Sequence, residues 1–362
     1  MKDGISIKRI IINAGAVIAF AIGSGFATGQ EILQFFSSFG SQIFLCARMF
    51  FIVNLYMNYN FLEAGRIGQF ERGSQVFNYF CGKYVGAFFD WFAVLFSFLS
   101  YFVMIAGAGA TLEQQFGLPP VVGAAIIAVL ACVTVMFGLN KLVDIIGTIG
   151  PIIIIMCLIA GIVGIVNGDM TIAQADAAIP TLNVPAAADN WFMSMVSYLG
   201  FGMLWFAPFL SQIGKKEKVS RNAQFGVIAG MAILTLAILL VGIALIKNIS
   251  LTALSQVPLL AVLQKFSPVL ATIFSVVIFA GIYTTACPLL WTPCDRLAKE
   301  GTTKYKIITV VLAVAGCAIG LFAPYSKIVN LVYAVNGKVG FVLLAFIIYK
   351  NIAMLVKKFK KA

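Results

Sequence analysis

Apolar residues along this chain are grouped in ten long runs, which are separated by short polar segments. A helix rises about 1.5 Å per residue, so roughly 20 residues cross the hydrocarbon of a bilayer, which is about 30 Å thick. The runs have this length, and we therefore predict an all-α integral membrane protein with ten transmembrane helices. They lie at residues 10–37, 41–63, 88–114, 120–138, 143–166, 190–213, 223–246, 267–292, 305–322 and 327–349, and are called spans 1 to 10.

The connecting segments are too short for a soluble domain, so residues 1–362 are expected to form a single transmembrane domain. Segment 64–87 mixes aromatic with polar residues, a pattern typical of a helix lying on the membrane surface. Segment 248–265 carries several leucines and predicts a short helical lid on the opposite side of the membrane.

Composition and charge agree with a membrane location. Hydrophobic residues make up 61% of the chain and charged residues 10%, against about 25% charged residues in soluble proteins. Most of the 25 Lys and Arg residues fall in segments on the same side of the membrane as the two termini. Such segments face the cytoplasm, so we expect a multi-pass protein of the cell (inner) membrane with both termini cytoplasmic. This asymmetry accounts for the net charge of +12 without nucleic acid as a partner.

Several enzyme classes are excluded by what the chain lacks. It has no histidine, and its seven cysteines form no C-x-x-C pair, which excludes His-based zinc sites, haem ligation by His and Ser-His-Asp triads. Paired intramembrane aspartates and a P-loop motif are also absent from the sequence. We therefore expect no enzyme, no cofactor and no direct drive by ATP.

Two glycine pairs interrupt the apolar runs. Gly23-Ser24-Gly25 lies in span 1, and Gly200-Phe201-Gly202 lies in span 6. Glycine is a poor helix former, so such pairs favour unwinding. Unwound backbone inside a membrane is tolerated beside a polar cavity, where its free N–H and C=O groups bind ligands. Because the pairs hold corresponding positions, we predict a five-plus-five inverted repeat, residues 10–166 and 190–349, with helices 1 and 6 broken.

Helix packing is the alternative explanation of these glycines. Small residues let helices approach closely, and the chain has other motifs of this kind, among them Gly226-x-x-x-Gly230 and Gly316-x-x-x-Gly320. Either glycine pair alone fits packing, whereas the matched pair favours broken helices.

The same residues resemble a known group of transporters. Gly23-Ser24-Gly25 resembles the break of the amino acid–polyamine–organocation superfamily, and Leu199-Gly200-Phe201-Gly202 resembles the sixth helix of the neurotransmitter:sodium symporters. Residues 23–36 are most similar to the YkvI-like membrane proteins of that clan. The resemblance implies the five-plus-five leucine-transporter (LeuT) fold over nearly the whole chain.

This resemblance implies a sodium site. In sodium-coupled members of the group, one sodium lies between the span 1 break and span 8. Carried over to this chain, its ligands are the carbonyls of Ala19, Ile22 and Gly281 and the hydroxyls of Thr284 and Thr285. Neutral oxygens suit a hard cation. The alternative is that each threonine bonds the carbonyl one turn earlier in its own helix.

The resemblance also places the substrate between spans 1, 3, 6 and 8. The N–H groups at the span 1 break would receive a carboxylate, and aromatic residues of spans 3 and 6 would line the cavity. The substrate-binding residues predicted in this way are Gly23, Ser24, Gly25, Phe26, Tyr101, Tyr198, Gly200, Phe201 and Gly202. The chain has 32 phenylalanines, so any single aromatic residue also fits core packing.

Two charged residues in the spans suggest a gate. Glu31 follows the span 1 break, and Lys338 lies in span 10. Buried ionisable residues in membranes are costly and usually paired, and in relatives these two spans contribute an oppositely charged pair to the extracellular gate. We predict that Glu31 and Lys338 form this pair. The alternative is that Lys338 extends to the membrane surface and Glu31 caps a helix end.

The expected function is that of a sodium-coupled symporter, which moves a small solute by alternating access. The solute is expected to be an amino acid or a related zwitterion, with Na⁺ as coupling ion, and membrane lipid is the other partner. Two alternatives stay open: a proton-coupled amino acid or amine transporter in which Glu31 or Glu63 titrates, and a non-transporting receptor on the same fold. The sequence does not determine the solute, the stoichiometry or the oligomeric state.

Overall fold

The computed structural model describes residues 5–137, 140–217 and 220–360, without the side chains at 19, 24, 140–151, 220, 358 and 359. Every regular element in that part of the chain is helical. The α-helices are α1 (Ile7–Ala21), α2 (Ser24–Thr28), α3 (Gln30–Phe35), α4 (Ile43–Gly68), α5 (Gln75–Phe116), α6 (Pro120–Met136), α7 (Asn140–Val166), α8 (Ile172–Ala178), α9 (Trp191–Lys216), α10 (Ser220–Lys247), α11 (Ile249–Thr252), α12 (Pro258–Phe266), α13 (Pro268–Leu297), α14 (Thr303–Gly320), α15 (Tyr325–Val329) and α16 (Val335–Phe359). A 3₁₀ turn (Ser37–Gln42) precedes α4, and a π-helical segment (Asn330–Ala334) precedes α16.

Long apolar helices dominate the fold. In the described part of the chain, seven helices are long and apolar enough to cross a membrane: Ser37–Gly68, Gln75–Phe116, Trp191–Lys216, Arg221–Lys247, Pro268–Leu297, Thr303–Gly320 and Tyr325–Lys357. Two shorter apolar helices are Pro120–Met136 and Ile152–Val166. These findings confirm an all-helical, multi-pass membrane protein, whereas the count of ten crossings stays a prediction.

Span 1 is broken where its glycines lie. Helix α1 ends at Ala21, and Ile22 then leaves the helical conformation with φ −89° and ψ 89°. Gly23 is extended, with φ −90° and ψ −173°, before α2 begins at Ser24. The predicted break of helix 1 is therefore present in the structure.

A second interruption, which the glycine pairs do not predict, lies at Gly29 between α2 and α3. Its φ of 81° is in the left-handed region that favours glycine. A Cβ at this position would lie 3.0 Å from the backbone nitrogen and from the Cβ of Leu259 in α12. The kink therefore also lets α12 rest directly on the outer half of span 1.

The predicted break in span 6 is wrong, because α9 is a continuous helix through Gly200 and Gly202. The physical reason is helix packing. A Cβ on Gly200 would lie 1.7 Å from the carbonyl oxygen of Gly337 in α16, and a Cβ on Gly337 would lie 1.9 Å from the carbonyl oxygen of Ser197. Gly200 thus serves close contact with α16, whereas a Cβ on Gly202 would meet no heavy atom within 4 Å.

The inverted repeat consequently loses its strongest support. Its prediction rested on a matched pair of broken helices, and of that pair only helix 1 is broken in the structure. The division into residues 10–166 and 190–349 stays a prediction.

The other small-residue motifs also serve helix packing. A Cβ on Gly226 of α10 would lie 2.4 Å from the Cβ of Asn13 in α1, and one on Gly230 would lie 3.0 Å from the carbonyl oxygen of Ala14. A Cβ on Gly316 of α14 would lie 2.3 Å from the ring of Tyr101 in α5. These contacts fix the inner half of span 1 against span 7, and span 9 against span 3.

Both connecting segments with apolar residues are helical. The first two turns of α5 belong to segment 64–87, and a left-handed kink at Gly82 (φ 75°) separates them from the rest of the helix. Segment 248–265 contains α11 and most of α12, whose Leu259, Leu260 and Leu263 are completely buried. Residues 255–266, called the lid below, therefore cover the outer half of span 1 as predicted for a helical lid.

Candidate functional site

Helix α13 passes directly beside the break in span 1. A Cβ on Gly23 would lie 3.7 Å from Cγ2 of Thr285, an ordinary van der Waals contact. The hydroxyls of Thr284 and Thr285 each donate a hydrogen bond to the carbonyl oxygen of Gly281, at 2.9 Å in both cases. Three of the five oxygens predicted to bind sodium therefore meet at one point next to the break.

These threonine bonds are the intrahelical bonds that the alternative explanation expects. A hydroxyl that donates its proton still has lone pairs that can bind a cation, so the geometry suits both explanations. The absence of a side chain at Gly281 also lets α13 pack closely on α7, because a Cβ there would lie 2.7 Å from Cδ1 of Ile153.

The two carbonyls predicted to bind sodium from span 1 lie where helical hydrogen bonding is interrupted. In a continuous helix the Gly23 N–H would bond the Ala19 carbonyl, but here it donates to Ala21 at 3.2 Å. The Ile22 carbonyl belongs to the non-helical residue of the break. Neutral oxygens of this kind fit a hard cation, and the contribution of Ala19 and Ile22 to a sodium site stays a prediction.

An aromatic cluster fills the space between spans 1, 2, 3, 6 and 10. Tyr198 and Phe201 of α9 lie at its centre, with ring centroids 4.8 Å apart. Phe35 of α3 contacts Tyr198 at 5.2 Å, and Tyr333 stacks on Phe201 at 4.7 Å. The cluster consists of Phe35, Phe36, Phe50, Phe96, Tyr198, Phe201, Trp205 and Tyr333.

Trp205 is not among the predicted site residues, although the sequence carries a signal for it. Tyr198, Phe201 and Trp205 recur at i, i+3 and i+7, which places them on one face of α9. Phe96 and Tyr333 carry no comparable signal, because the chain is rich in aromatic residues throughout.

The structure does not place Tyr101 in this cluster. Its buried ring packs on Gly316 of α14, and its hydroxyl has no hydrogen-bond partner among the described residues. Phe96, five residues earlier on α5, contacts Phe201 and Trp205 instead. A helix turns about 100° per residue. Two aromatic residues of the same span that are five positions apart therefore point in different directions and contact different neighbours.

The residues at the span 1 break are largely enclosed. Phe26 is almost completely buried, and Gly23 is half-buried. The side chain of Ser24 lies outside the described part of the chain, so its predicted contact with substrate stays a prediction.

Glu31 and Lys338 are not brought together in this conformation. Glu31 is 6% exposed, whereas Lys338 lies on the exposed face of α16. In the described part of the chain, the ion pairs are Arg9–Glu217, Arg66–Glu63, Lys265–Asp169 and Arg296–Asp90. The predicted gate pair is therefore absent here, because Gly337 and Gly340 pack against α9 and turn Lys338 to the opposite face.

The Glu31 carboxyl instead folds back to the break. A Cβ on Gly25 would lie 1.8 Å from Oε1 of Glu31, so the carboxyl rests against the Gly25 backbone. This is the place where the resemblance predicts the carboxylate of the substrate. A second carboxylate beside Glu31 would be repelled, and the predicted role of the Gly25 amide in binding one is not supported by this arrangement.

The lid is held down by hydrogen bonds to the outer end of α5. Gln114 donates to the carbonyl of Val257 at 3.0 Å and accepts from the hydroxyl of Ser255 at 2.8 Å and the N–H of Val257 at 2.9 Å. Gln264 of α12 donates to the carbonyl of Gln114 at 3.0 Å. These bonds fix the lid over Gly29, on the outer half of span 1.

Comparison with known proteins identifies relatives at low identity. Two proteins of Bacillus subtilis (strain 168) match most of this chain: the uncharacterized protein YyaD, 23% identical over 91% of this chain and 93% of its own length, and the uncharacterized membrane protein YkvI, 22% identical over 91% and 92%. The second match confirms the resemblance to YkvI-like proteins. No family model matches the chain.

Solved structures with a similar fold cover nearly the whole chain. MhsT in complex with L-phenylalanine has a TM-score of 0.62 at 15% identity, and the match covers 94% of this chain and 88% of MhsT. Mhp1 in its inward-facing conformation has a TM-score of 0.55 at 14% identity, over 91% and 73% of the two chains. A Na⁺-coupled sialic acid symporter in a substrate-bound outward-open state has a TM-score of 0.52 at 14% identity, over 94% and 86%. Together with the broken first span, these likenesses show that the chain has the leucine-transporter (LeuT) fold.

Proposed function

We propose that this protein is a secondary transporter, which couples the movement of a small solute to Na⁺ bound between the span 1 break and α13. The observation that carries the proposal is the meeting of the Gly281 carbonyl with the Thr284 and Thr285 hydroxyls beside the non-helical residues Ile22 and Gly23. One of the solved neighbours is a Na⁺-coupled symporter, which agrees with this coupling ion.

Alternating access requires that the two ends of the site open in turn. In this conformation the lid covers the outer half of span 1, through Leu259 on Gly29. At the other end of the molecule, Arg9 lies 3.6 Å from Glu217, and Asn13 donates to Glu217 at 3.3 Å. Because α1 and α2 are separate helices, the inner half of span 1 can move without the outer half.

The solute is proposed to be an amino acid or a related small molecule that carries an amino group. The aromatic cluster offers an apolar surface, and the break offers backbone polar groups, a combination typical of small-molecule sites. The solved structures with a similar fold include a Na⁺-coupled symporter, which agrees with a transport role and not with an enzymatic one.

Sodium binding is tested by thermal unfolding of the purified protein in NaCl and in KCl at equal ionic strength. A cation that binds only the folded state stabilises it by about 2.7 kcal/mol when its concentration is 100 times Kd. We expect a higher melting temperature in NaCl than in KCl for the wild type, and no difference between the salts for Thr285→Val, which keeps the shape but removes the hydroxyl.

Thr292→Val is the matched control for this experiment. Thr292 lies on the same helix and donates to the Pro288 carbonyl at 2.8 Å, the same intrahelical bond that Thr285 makes to Gly281. It should keep the difference between sodium and potassium. Equal melting temperatures of the wild type in the two salts would contradict the sodium site, and so would an undiminished difference in Thr285→Val.

A proton-coupled mechanism is the second candidate, and the burial of Glu31 favours it. Glu63, the other candidate for titration, forms an ion pair with Arg66 near the end of α4 and is less suited to carry a transported proton. Uptake that follows a pH gradient and ignores sodium would favour this second candidate.

A further inference from the structure

The Glu31 carboxyl has an unusual position for a buried acidic group. All six residues of α3 are buried, and Glu31 is 6% exposed. No hydrogen bond or ion pair joins its carboxyl to another described residue. A carboxylate taken out of water without a partner is strongly disfavoured. The site is therefore complete only when a cation or a proton neutralises Glu31.

The surroundings of Glu31 are phenolic and aromatic. The hydroxyl of Tyr325 in α15 bonds Thr28, three residues before Glu31, at 3.0 Å, and Tyr198 of α9 contacts Phe35, four residues after Glu31, at 5.2 Å between ring centroids. The rings of Tyr198 and Tyr333 flank Phe201, at 4.8 and 4.7 Å between centroids. Lys338, the cation predicted as partner, is on the exposed face of α16.

The residues around Glu31 favour an organic ammonium group over a metal cation. A metal cation needs several oxygen ligands at once. The nearby Thr28 hydroxyl donates to the Gly25 carbonyl and accepts from the Tyr325 hydroxyl, both at 3.0 Å, which leaves it at most one lone pair, against two on each of Thr284 and Thr285. The aromatic rings that pack on this part of the chain, Tyr198 against Phe35 and Phe36, suit an organic ammonium group, because a ring face attracts the cation and packs against the carbon chain attached to it.

We propose that Glu31 binds the ammonium group of the transported solute, so that the substrate is a primary amine or an amino acid held by its amino end. The proposal rests on the transport function proposed above and refines its substrate class. It reverses the polarity expected at the break: the protein supplies the carboxylate, and the solute supplies the positive charge. Solutes that carry a carboxylate without an amine are excluded by repulsion from Glu31.

The test measures thermal stabilisation of the purified protein by two matched sets of probes. One set is butylamine, norvaline and pentanoate; the other is phenethylamine, phenylalanine and 3-phenylpropionate. We expect an amine-bearing member of at least one set to raise the melting temperature of the wild type, while pentanoate and 3-phenylpropionate do not. In Glu31→Gln the apparent Kd for that amine should rise about 100-fold or more, because one partner of a buried charge pair is lost.

Glu113→Gln is the matched control, since Glu113 is an exposed glutamate at the outer end of α5 and its substitution changes the net charge equally. It should respond to the amine like the wild type. Glu31→Asp keeps the charge one methylene further back, and its affinity should lie between those of the wild type and Glu31→Gln. A sodium-dependent rise in melting temperature that persists in Glu31→Gln shows that this variant is folded.

The results separate this proposal from the sodium site. If amines raise the melting temperature and sodium does not, Glu31 remains the ammonium site and sodium coupling is contradicted. If sodium raises the melting temperature and no amine does, the sodium site remains and the ammonium site is contradicted. Stabilisation by a carboxylate-only probe, or equal amine binding in Glu31→Gln, would overturn the proposal. So would a protein that no amine stabilises but that low pH stabilises through Glu31, because the carboxyl would then take only a proton.

Discussion

Gly200→Ala should lower the free energy of unfolding by about 3 kcal/mol or more, at the upper end of what overpacking costs. The added methyl group would lie 1.7 Å from the Gly337 carbonyl oxygen and 2.6 Å from the Phe341 nitrogen. Both are backbone atoms of α16, so no side chain can rotate away, and α9 and α16 must separate. Unfolding in detergent, followed by the fraction of protein that stays monodisperse on heating, measures the loss.

Gly202→Ala is the control two residues further along α9. Its methyl group would meet no heavy atom within 4 Å, and alanine favours a helix over glycine by roughly 0.5–1 kcal/mol. This variant should be as stable as the wild type or slightly more so. Equal losses in Gly200→Ala and Gly202→Ala would contradict the packing explanation. A stable Gly202→Ala protein that no longer transports would instead favour a helix that unwinds during the cycle.

Gln114→Ala should release the lid, with hydrogen exchange of residues 255–266 accelerated roughly 100-fold. The substitution removes the hydrogen bonds of the Gln114 side chain to Val257 and Ser255. Each bond contributes about 1 kcal/mol, and 1.4 kcal/mol corresponds to about a tenfold change in the opening equilibrium. Exchange measured by mass spectrometry on peptides that cover the lid reports this opening directly.

The neighbouring variant Gln115→Ala provides the comparison. Gln115 donates to the Thr272 hydroxyl at 2.9 Å and accepts from Gln264 at 3.0 Å, but it makes no bond to residues 255–257. Its lid should exchange only a few times faster than that of the wild type. If both variants exchanged alike, Gln114 would not be what holds the lid closed.

The break in span 1 illustrates what a local signal can predict. Gly23 and Gly25 weaken the helix at the level of individual residues, and the chain departs from helical geometry at Ile22 and Gly23. Gly200 and Gly202 present the same signal, yet α9 is continuous. The difference is the neighbour: α16 lies against Gly200 and holds the helix in place, and no residue within α9 reveals that contact.

The candidate site also combines residues that the sequence predicts correctly with residues whose neighbours only the structure shows. The resemblance names Thr284 and Thr285, and the structure places them beside the break. It also names Tyr101, but the register of α5 turns that ring to α14 and brings Phe96 to the cluster. Lys338 and Glu31 have opposite charges in suitable spans, but they do not meet. Lys338 lies on the exposed face of α16, whereas Glu31 of α3 is buried and its carboxyl turns to Gly25.

The sequence by itself determined the membrane location, the helical class, the position of the long helices and the break in span 1. Those properties follow from hydropathy, from helix propensity and from the length needed to cross a bilayer, which act over neighbouring residues. Only the tertiary structure decided that Gly200 packs, that Gln114 holds the lid and that the buried Glu31 carboxyl rests against the backbone of the break. These features depend on which helix faces meet, and such contacts join residues that are far apart along the chain.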